Sequence, residues 1–195
     1  MTKTEILVIN KTNFENCIVS AAEHLKKGEV ILVPTETVYG LICDAFNEKA
    51  VQQIYKLKKR PPAQPLQLLI ADKKDAEKYF LKINPRAKKL IREEWPGPLT
   101  LISTKTKAIP DHISKLKVGL RMPDHSFMLQ LIRAFGSPVA ATSANISGKQ
   151  SPVTLKEAMA QIQDVPLAID GGRCVIGKSS KVIDATGNSI VIIRA

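Results

Sequence analysis

Short β-branched runs alternate with stretches of helical period along almost the whole chain, and this alternation constrains the fold more than any other feature. Ile6–Ile9 reads as a strand. Phe14–Lys27 reads as a helix with Ile18, Ala21, Ala22 and Leu25 on one face and Gly28 closing it. Val30–Val33 is a second strand, ended by Pro34. Asn47 is a good cap for a helix from Glu48 to Lys59, and Pro61-Pro62 stops it, because a residue before proline avoids helical geometry. Leu66–Ile70 is a strand, Asp72 caps a helix to Phe80, and Asn84-Pro85 opens another to Glu94. Strands are expected at Pro98–Ser103, Val118–Met122 and Pro138–Thr142, with a helix over Ser126–Phe135. A helix over Thr154–Ile162 and strands at Leu167–Ile169, Val182–Ile183 and Ile190–Arg194 complete the pattern. Such alternation gives an α/β architecture, a sheet covered by helices. No internal repeat or low-complexity linker divides the 195 residues, so a single domain over 1–195 is expected.

Several classes are excluded. No apolar run approaches the ~18 residues of a membrane helix, and no signal-peptide pattern opens the chain. A cytoplasmic protein without membrane contact is expected. Cys17, Cys43 and Cys174 are odd in number, far apart and form no C-x-x-C pair, which rules out a disulfide framework and a zinc ribbon. His24, His112 and His125 lack metal-ligand spacing, and no metal-binding residue is expected.

The formal charge is +11. Residues 49–92 carry thirteen Lys and Arg against three acids, a surplus of ten. That sector either gathers anions, such as nucleotides or nucleic acids, or is a solvated lysine face.

Polar residues concentrate after strands, where open α/β sheets bind ligands. In Val33-Pro34-Thr35-Glu36-Thr37-Val38-Tyr39-Gly40, two hydroxyls and a carboxylate follow a buried strand, and either bind a small polar ligand or form a hydroxyl-capped turn. Lys58 continues the apolar stripe of Val51, Ile54 and Tyr55, so it points inward while Lys59 turns away. Lys58 can snorkel, or reach an anion beside the planar fork of Arg60. In Ala141-Thr142-Ser143-Ala144-Asn145, Ser143 and Asn145 leave a strand on one side, suiting a phosphate oxygen or an adenine edge, or else a plain turn. Arg121 lies in a buried strand and needs either an internal carboxylate or a ligand's. There is no P-loop, no G-x-G-x-x-G and no G-x-S-x-G.

Together these segments resemble the YrdC family, the L-threonylcarbamoyladenylate synthases, in their short bacterial form. The carriers are VPTETVYGL (33–41), KKRP…PL (59–66, led by Lys58), WPGPLTL (95–101), VGLRMPDH (118–125), ATSANISG (141–148) with Ser151-Pro152, and DGG…VID (170–184). The resemblance implies a single-domain twisted mixed sheet with flanking helices and a concave basic cleft. It implies that L-threonine, bicarbonate and ATP become threonylcarbamoyl-AMP and pyrophosphate, with Mg²⁺ carried on ATP. Threonylcarbamoyl-transferase proteins of tRNA modification would be the downstream partners, with possible RNA contact. It places Lys58, Arg60, Ser143 and Asn145 in the catalytic, ATP-binding constellation. Thr35 and Arg121 would contact L-threonine, and Ser151, Ser180 and Arg194 would add to ATP binding. The chain departs from the family pattern at Ile42, where glycine is common, at Leu69, where some members have histidine, and at Ser179-Ser180-Lys181, where E-S-T is common. The sequence runs to Ala195, just past Arg194, and the extra C-terminal domain of long members is expected to be absent. The alternatives are a module binding double-stranded RNA or the ribosome through the same basic surface, and a carbamoyl-transfer module like that of hydrogenase-maturation proteins.

On this reading only Lys58 and Arg60 of the basic sector serve the ligand. Neutralising Lys73, Lys74, Lys88 and Lys89 together should leave pyrophosphate release at saturating ATP unchanged. Collapse of synthesis in a folded variant would contradict that division of the charge.

Overall fold

The computed structural model describes residues 4–61, 64–187 and 189–195. In chain order its elements are β1 (Glu5–Val8), α1 (Phe14–Lys26), β2 (Ile31–Val33), β3 (Gly40–Asp44), α2 (Glu48–Lys58), β4 (Gln67–Leu69), α3 (Asp75–Tyr79) and α4 (Pro85–Glu94). They continue with β5 (Leu99–Thr104), β6 (Lys117–Arg121), α5 (Ser126–Phe135), β7 (Val139–Ser143), α6 (Leu155–Met159), β8 (Leu167–Asp170), β9 (Lys181–Asp184) and β10 (Val191–Arg194). The strands form one sheet in the order β1-β8-β2-β3-β7-β4-β6-β5-β9-β10. It is mixed: β1·β8, β2·β8, β4·β6 and β5·β9 are parallel, and the other pairs are antiparallel.

The central strands are buried on both faces, which is why they read as unbroken apolar runs. Ile31, Val33, Ile42, Leu69, Val139, Leu167 and Ile169 pack under α1 and α5. Leu32, Leu41, Cys43, Leu68, Ile70 and Ala168 belong to the opposite layer, with Val51 and Ile54 of α2, Tyr79 of α3 and Ala158 of α6. Each such Leu or Ile contributes about 1.5–3 kcal/mol by leaving water. α1 and α5 also pack on each other, with Phe14 and Phe127 edge to face at 6.1 Å between ring centres.

Helix starts follow the sequence closely. Asn47 Oδ1 accepts from Ala50 N at 3.1 Å and Asn84 Oδ1 from Ala87 N at 2.8 Å. Asp72 does not cap α3 as expected. Its carboxylate accepts from Lys74 N instead, and this tight turn delays the helix to Asp75. Pro62, one of the two expected stops of α2, lies outside the described residues. β3 has no counterpart in the sequence reading. Its first four residues are all buried, so no period-2 alternation marks it, and it opens on a glycine. Gly40 is required there, because a Cβ would sit 3.2 Å from Thr142 O of the neighbouring strand.

The layer under α1 and α5 stops short of the far half of the sheet. No residue of β5, β6 or β9 joins it. On that uncovered half, the alternate positions are mostly polar or small, with Ile102 and Val182 among them, over a buried opposite face formed by Leu101, Val118, Leu120 and Ile183. Among the described residues, no helix is long and apolar enough to cross a membrane.

Candidate active site

The uncovered half of the sheet floors a cavity of about 600 Å³, a size suited to a small-molecule ligand. One row of paired residues runs across five strands: Ala141, Gln67, Gly119, Ile102 and Asp184. Arg60, Ser143, Arg121, Ser180 and Arg194 line the same space, together with Thr37 and Lys117. Motif residues that are scattered through the chain are thus brought together.

Arg121 is 3% exposed. Of the two partners open to it in the sequence, it has taken the internal one. Its Nη2 donates to Glu36 Oε1 at 2.7 Å and to Thr37 Oγ1 at 2.9 Å, and its Nε donates to Gly97 O at 3.2 Å. Glu36 Oε1 also accepts from Asp124 N at 3.0 Å. Glu36 is therefore the anchor of this arginine, and the sequence reading did not single it out. A buried arginine with a carboxylate three residues past a strand end was the available signal.

Thr35 sits in the hydroxyl-capped turn that was the plainer alternative. Its Oγ1 donates to Val38 O at 2.7 Å and accepts from Thr37 N and Val38 N. Thr37, two residues on, is the threonine of this turn that lines the cavity.

Lys58 and Asn145 stand behind the wall rather than in it. The Lys58 ammonium is 1% exposed and donates to Ser143 O at 2.5 Å, to Asn145 O at 2.6 Å and to Asn145 Oδ1 at 3.4 Å. Asn145 Oδ1 also accepts from Ser143 Oγ at 2.5 Å, and Asn145 Nδ2 donates to Ile146 O and Lys149 O. Burial, then the nearby Arg60 charge, lowers the Lys58 pKa from 10.5 to about 8. Lys59 is the left-handed cap of α2 and is exposed, as the helix-face argument requires.

Arg60 donates to Gln64 O and Pro65 O across its own loop. Arg194 donates from Nε to Ser180 O at 2.8 Å and from Nη2 to Ser180 Oγ at 3.2 Å. Burial lowers the Arg194 pKa, and the charges of Arg121 and Arg60 lower it further. Three guanidinium groups therefore share one space and repel one another. Ser180 is 2% exposed and its hydroxyl is engaged within the protein. Ser151 Oγ lies 3.3 Å from Ser179 Oγ, and Ser179 is the residue on the cavity wall.

Asp184 is the carboxylate that reaches the cavity. It accepts from Lys117 Nζ at 2.9 Å and from Thr186. Burial pushes its pKa up, but the hydrogen bonds from Thr186 and Lys117 outweigh this and hold it below the usual range. Among the described residues, no three His, Cys, Asp or Glu side chains converge to hold a metal. The donor set fits an anion whose own oxygens carry any divalent cation.

The family model Sua5_yciO_yrdC, described as "Telomere recombination", matches residues 23–195. A relative in Methanocaldococcus jannaschii is 38% identical, over 98% of this chain and 93% of that one. The threonylcarbamoyl-AMP synthase of Bacillus subtilis is 42% identical, over 91% of this chain and 52% of its own. The crystal structure of Pyrococcus abyssi Sua5 complexed with L-threonine superposes with a TM-score of 0.93 at 38% identity, covering 98% of this chain and 57% of that one. The chain thus spans nearly all of the first relative and little more than half of the other two.

Two consequences can be measured. Glu36→Ala leaves the Arg121 charge buried and unpaired, and should lower urea-unfolding stability by about 3–5 kcal/mol. For Lys58, the folded pKa lies below the unfolded one, so the buried charge is a full cost below about pH 8. Between about pH 8 and 10.5 the unfolded chain holds a proton that the fold has released, and this group adds stability as pH rises. Wild-type stability relative to Lys58→Met should therefore grow across that window. A pH-independent difference would remove Lys58 from the account.

Proposed function

The chain belongs to the Sua5/YciO/YrdC family, and on that premise we propose that it is a threonylcarbamoyl-AMP synthase acting in N6-threonylcarbamoyladenosine modification of tRNA. The observation that carries this reading is the convergence of Arg60, Arg121 and Arg194 on one cavity, beside Ser143. Mutually repelling cations held together suit a polyanion, and a nucleoside triphosphate is the polyanion this family's reaction requires.

The chemistry follows. The threonine amine attacks bicarbonate-derived CO₂, forming the N–C bond of a carbamate with overall loss of water. A carbamate oxygen then attacks the α-phosphorus of ATP, the bond to the β-phosphate oxygen breaks, and pyrophosphate leaves. No protein nucleophile is needed. The chain supplies orientation and charge neutralisation. Arg60 and Arg194 face the phosphates. Arg121 presents the part of its fork not used by Glu36 and Thr37 to the threonine carboxylate, with Thr37 alongside. Ser143 offers its hydroxyl at the cavity wall, while Lys58 and Asn145 fix that wall and add positive potential behind it. Thr35 shapes the turn that presents Thr37, and Ser151 supports Ser179. Mg²⁺ arrives bound to the phosphates of ATP. The mixed anhydride product is then taken up by threonylcarbamoyl-transferase proteins.

The test is pyrophosphate release from ATP with threonine and bicarbonate omitted in turn. Release is expected only with both present, and release that ignores either one overturns the reading. A module that only binds RNA releases none. Lys58→Ala and Arg60→Ala should each abolish turnover, at least 100-fold, while Lys59→Ala stays within about twofold of wild type. An equal loss at Lys59 would refute the assignment of the helix face.

A further inference from the structure

A chain of hydrogen bonds crosses the cavity floor and ends on a donor that the reaction described so far does not use. It begins at Arg194, whose guanidinium can only donate. Arg194 Nη2 donates to Ser180 Oγ at 3.2 Å. Ser180 Oγ lies 2.9 Å from Thr100 Oγ1, and Thr100 Oγ1 donates to Gln67 Oε1 at 2.6 Å. Ser180 and Thr100 are 2% and 3% exposed, so their hydroxyl protons must find partners inside the protein. With Arg194 as an obligatory donor, the polarity runs one way. The Ser180 proton goes to Thr100, and the Thr100 proton goes to Gln67. Gln67 Oε1 is thereby occupied and the orientation of the amide is set. Its Nε2 remains, and among the described residues no protein group accepts from it.

Gln67 lines the cavity, between Ala141 and Gly119 in the row across the sheet. Neither neighbour projects more than a methyl group, so the amide stands clear on the floor. A Cβ at Gly119 would come within 3.2 Å of Thr100 Cγ2 and 3.7 Å of Gln67 Cβ, crowding the residues that build this relay.

We propose that Gln67 is a nucleotide-positioning residue. It donates from Nε2 to a neutral acceptor on the nucleoside part of ATP, a ring nitrogen or a ribose oxygen. Thr100 and Ser180 hold its amide in the donating orientation. The proposal rests on the ATP-binding reading given above. The phosphates are met by the guanidinium groups, which form the stronger charge-assisted bonds. A neutral donor of fixed polarity serves instead to select among neutral partners, because a ligand without a matching acceptor leaves it unpaired.

The experiment is direct titration of the intact protein with ATP and, separately, with inorganic triphosphate, without threonine or bicarbonate. Gln67→Leu should weaken ATP binding about five- to tenfold and leave triphosphate binding unchanged. Thr100→Val, which removes the hydroxyl and keeps the shape, should weaken ATP about threefold, while Thr100→Ser binds like wild type. If Gln67→Leu leaves ATP affinity unchanged, or weakens ATP and triphosphate equally, the proposal fails. A change in L-threonine affinity with none in ATP also overturns it. Should Thr100→Val not fold, Gln67→Leu decides alone. Because binding is read without turnover, failure of the synthase reading shows separately, as ATP binding without threonine-dependent pyrophosphate release.

Discussion

The site depends first on one buried cation. Taking an ammonium group out of water costs several kcal/mol unless its donors are met. Lys58 is 1% exposed, and no carboxylate pairs with it among the described residues. Its acceptors are two backbone carbonyls and one amide oxygen, from the last residue of β7 and the segment that follows it. That segment must therefore turn its carbonyls inward, and in doing so it fixes Ser143 at the cavity wall. The contact is reciprocal, since Ser147 N donates to Lys58 O at 3.0 Å. A lysine at the last turn of α2 also suits the negative end of the helix dipole. One residue thus ties the end of a helix to the end of a strand 85 residues away, with a charge left close behind the wall.

The second constraint is what covers the sheet. α1 and α5 cover one half of a face and stop, so the strands beyond carry mostly polar or small residues on that side, with Ile102 and Val182 between them, and apolar ones beneath. A floor of this kind presents side chains every second residue from parallel and antiparallel neighbours, which is a precise way to place groups from distant parts of a chain. Arg121 shows what such a floor needs. Its charge is compensated from within by Glu36 and its orientation is fixed by three acceptors, so the free part of the fork is already aimed when a ligand arrives.

Local signals made most of the fold legible. Asn47 and Asn84 cap the helices they were expected to cap, and Lys58 and Lys59 fall on opposite sides of α2 as the apolar stripe required. β3 was not legible, because a short, wholly buried strand opening on glycine shows no period. The order of strands in the sheet was not legible from pattern either, since registers such as Gln67 with Gly119 and Ala141 are set by packing. At the site, the motifs pointed to loops that contribute residues to the cavity, but not to which side chain of each loop turns inward. The choice of Thr37 over Thr35 depends on a single turn. The pairing of Arg121 with Glu36 depends on the loop after β2 reaching β6, which three intervening strands separate from β2 in the sheet, and sequence spacing does not encode that. Gln67 had no local signal at all. It acquires a role only because Thr100 and Ser180 come to lie beside it.

The charge of the chain takes on a different meaning in this setting. Four cations, Arg60, Lys117, Arg121 and Arg194, line the cavity against the single carboxylate of Asp184. The chain has seven arginines against 22 lysines, and three of the seven are here. Arginine suits this place because its planar fork can be held by protein acceptors on one edge and still donate from the other, which an ammonium group cannot do as directionally. Arg60, Arg121 and Arg194 each use part of the fork on loop or strand oxygens in this way. The lysines of the basic sector are mostly exposed, beyond the cavity, where salt screens them over about 8–10 Å. They raise the general positive potential, whereas Arg121, buried, Arg60, half-buried, and Arg194, exposed, create a local repulsion within the cavity that a polyanion would offset. On the proposed reading, the attraction that orients ATP would also relieve this repulsion, and a ligand that binds only the folded chain stabilises it.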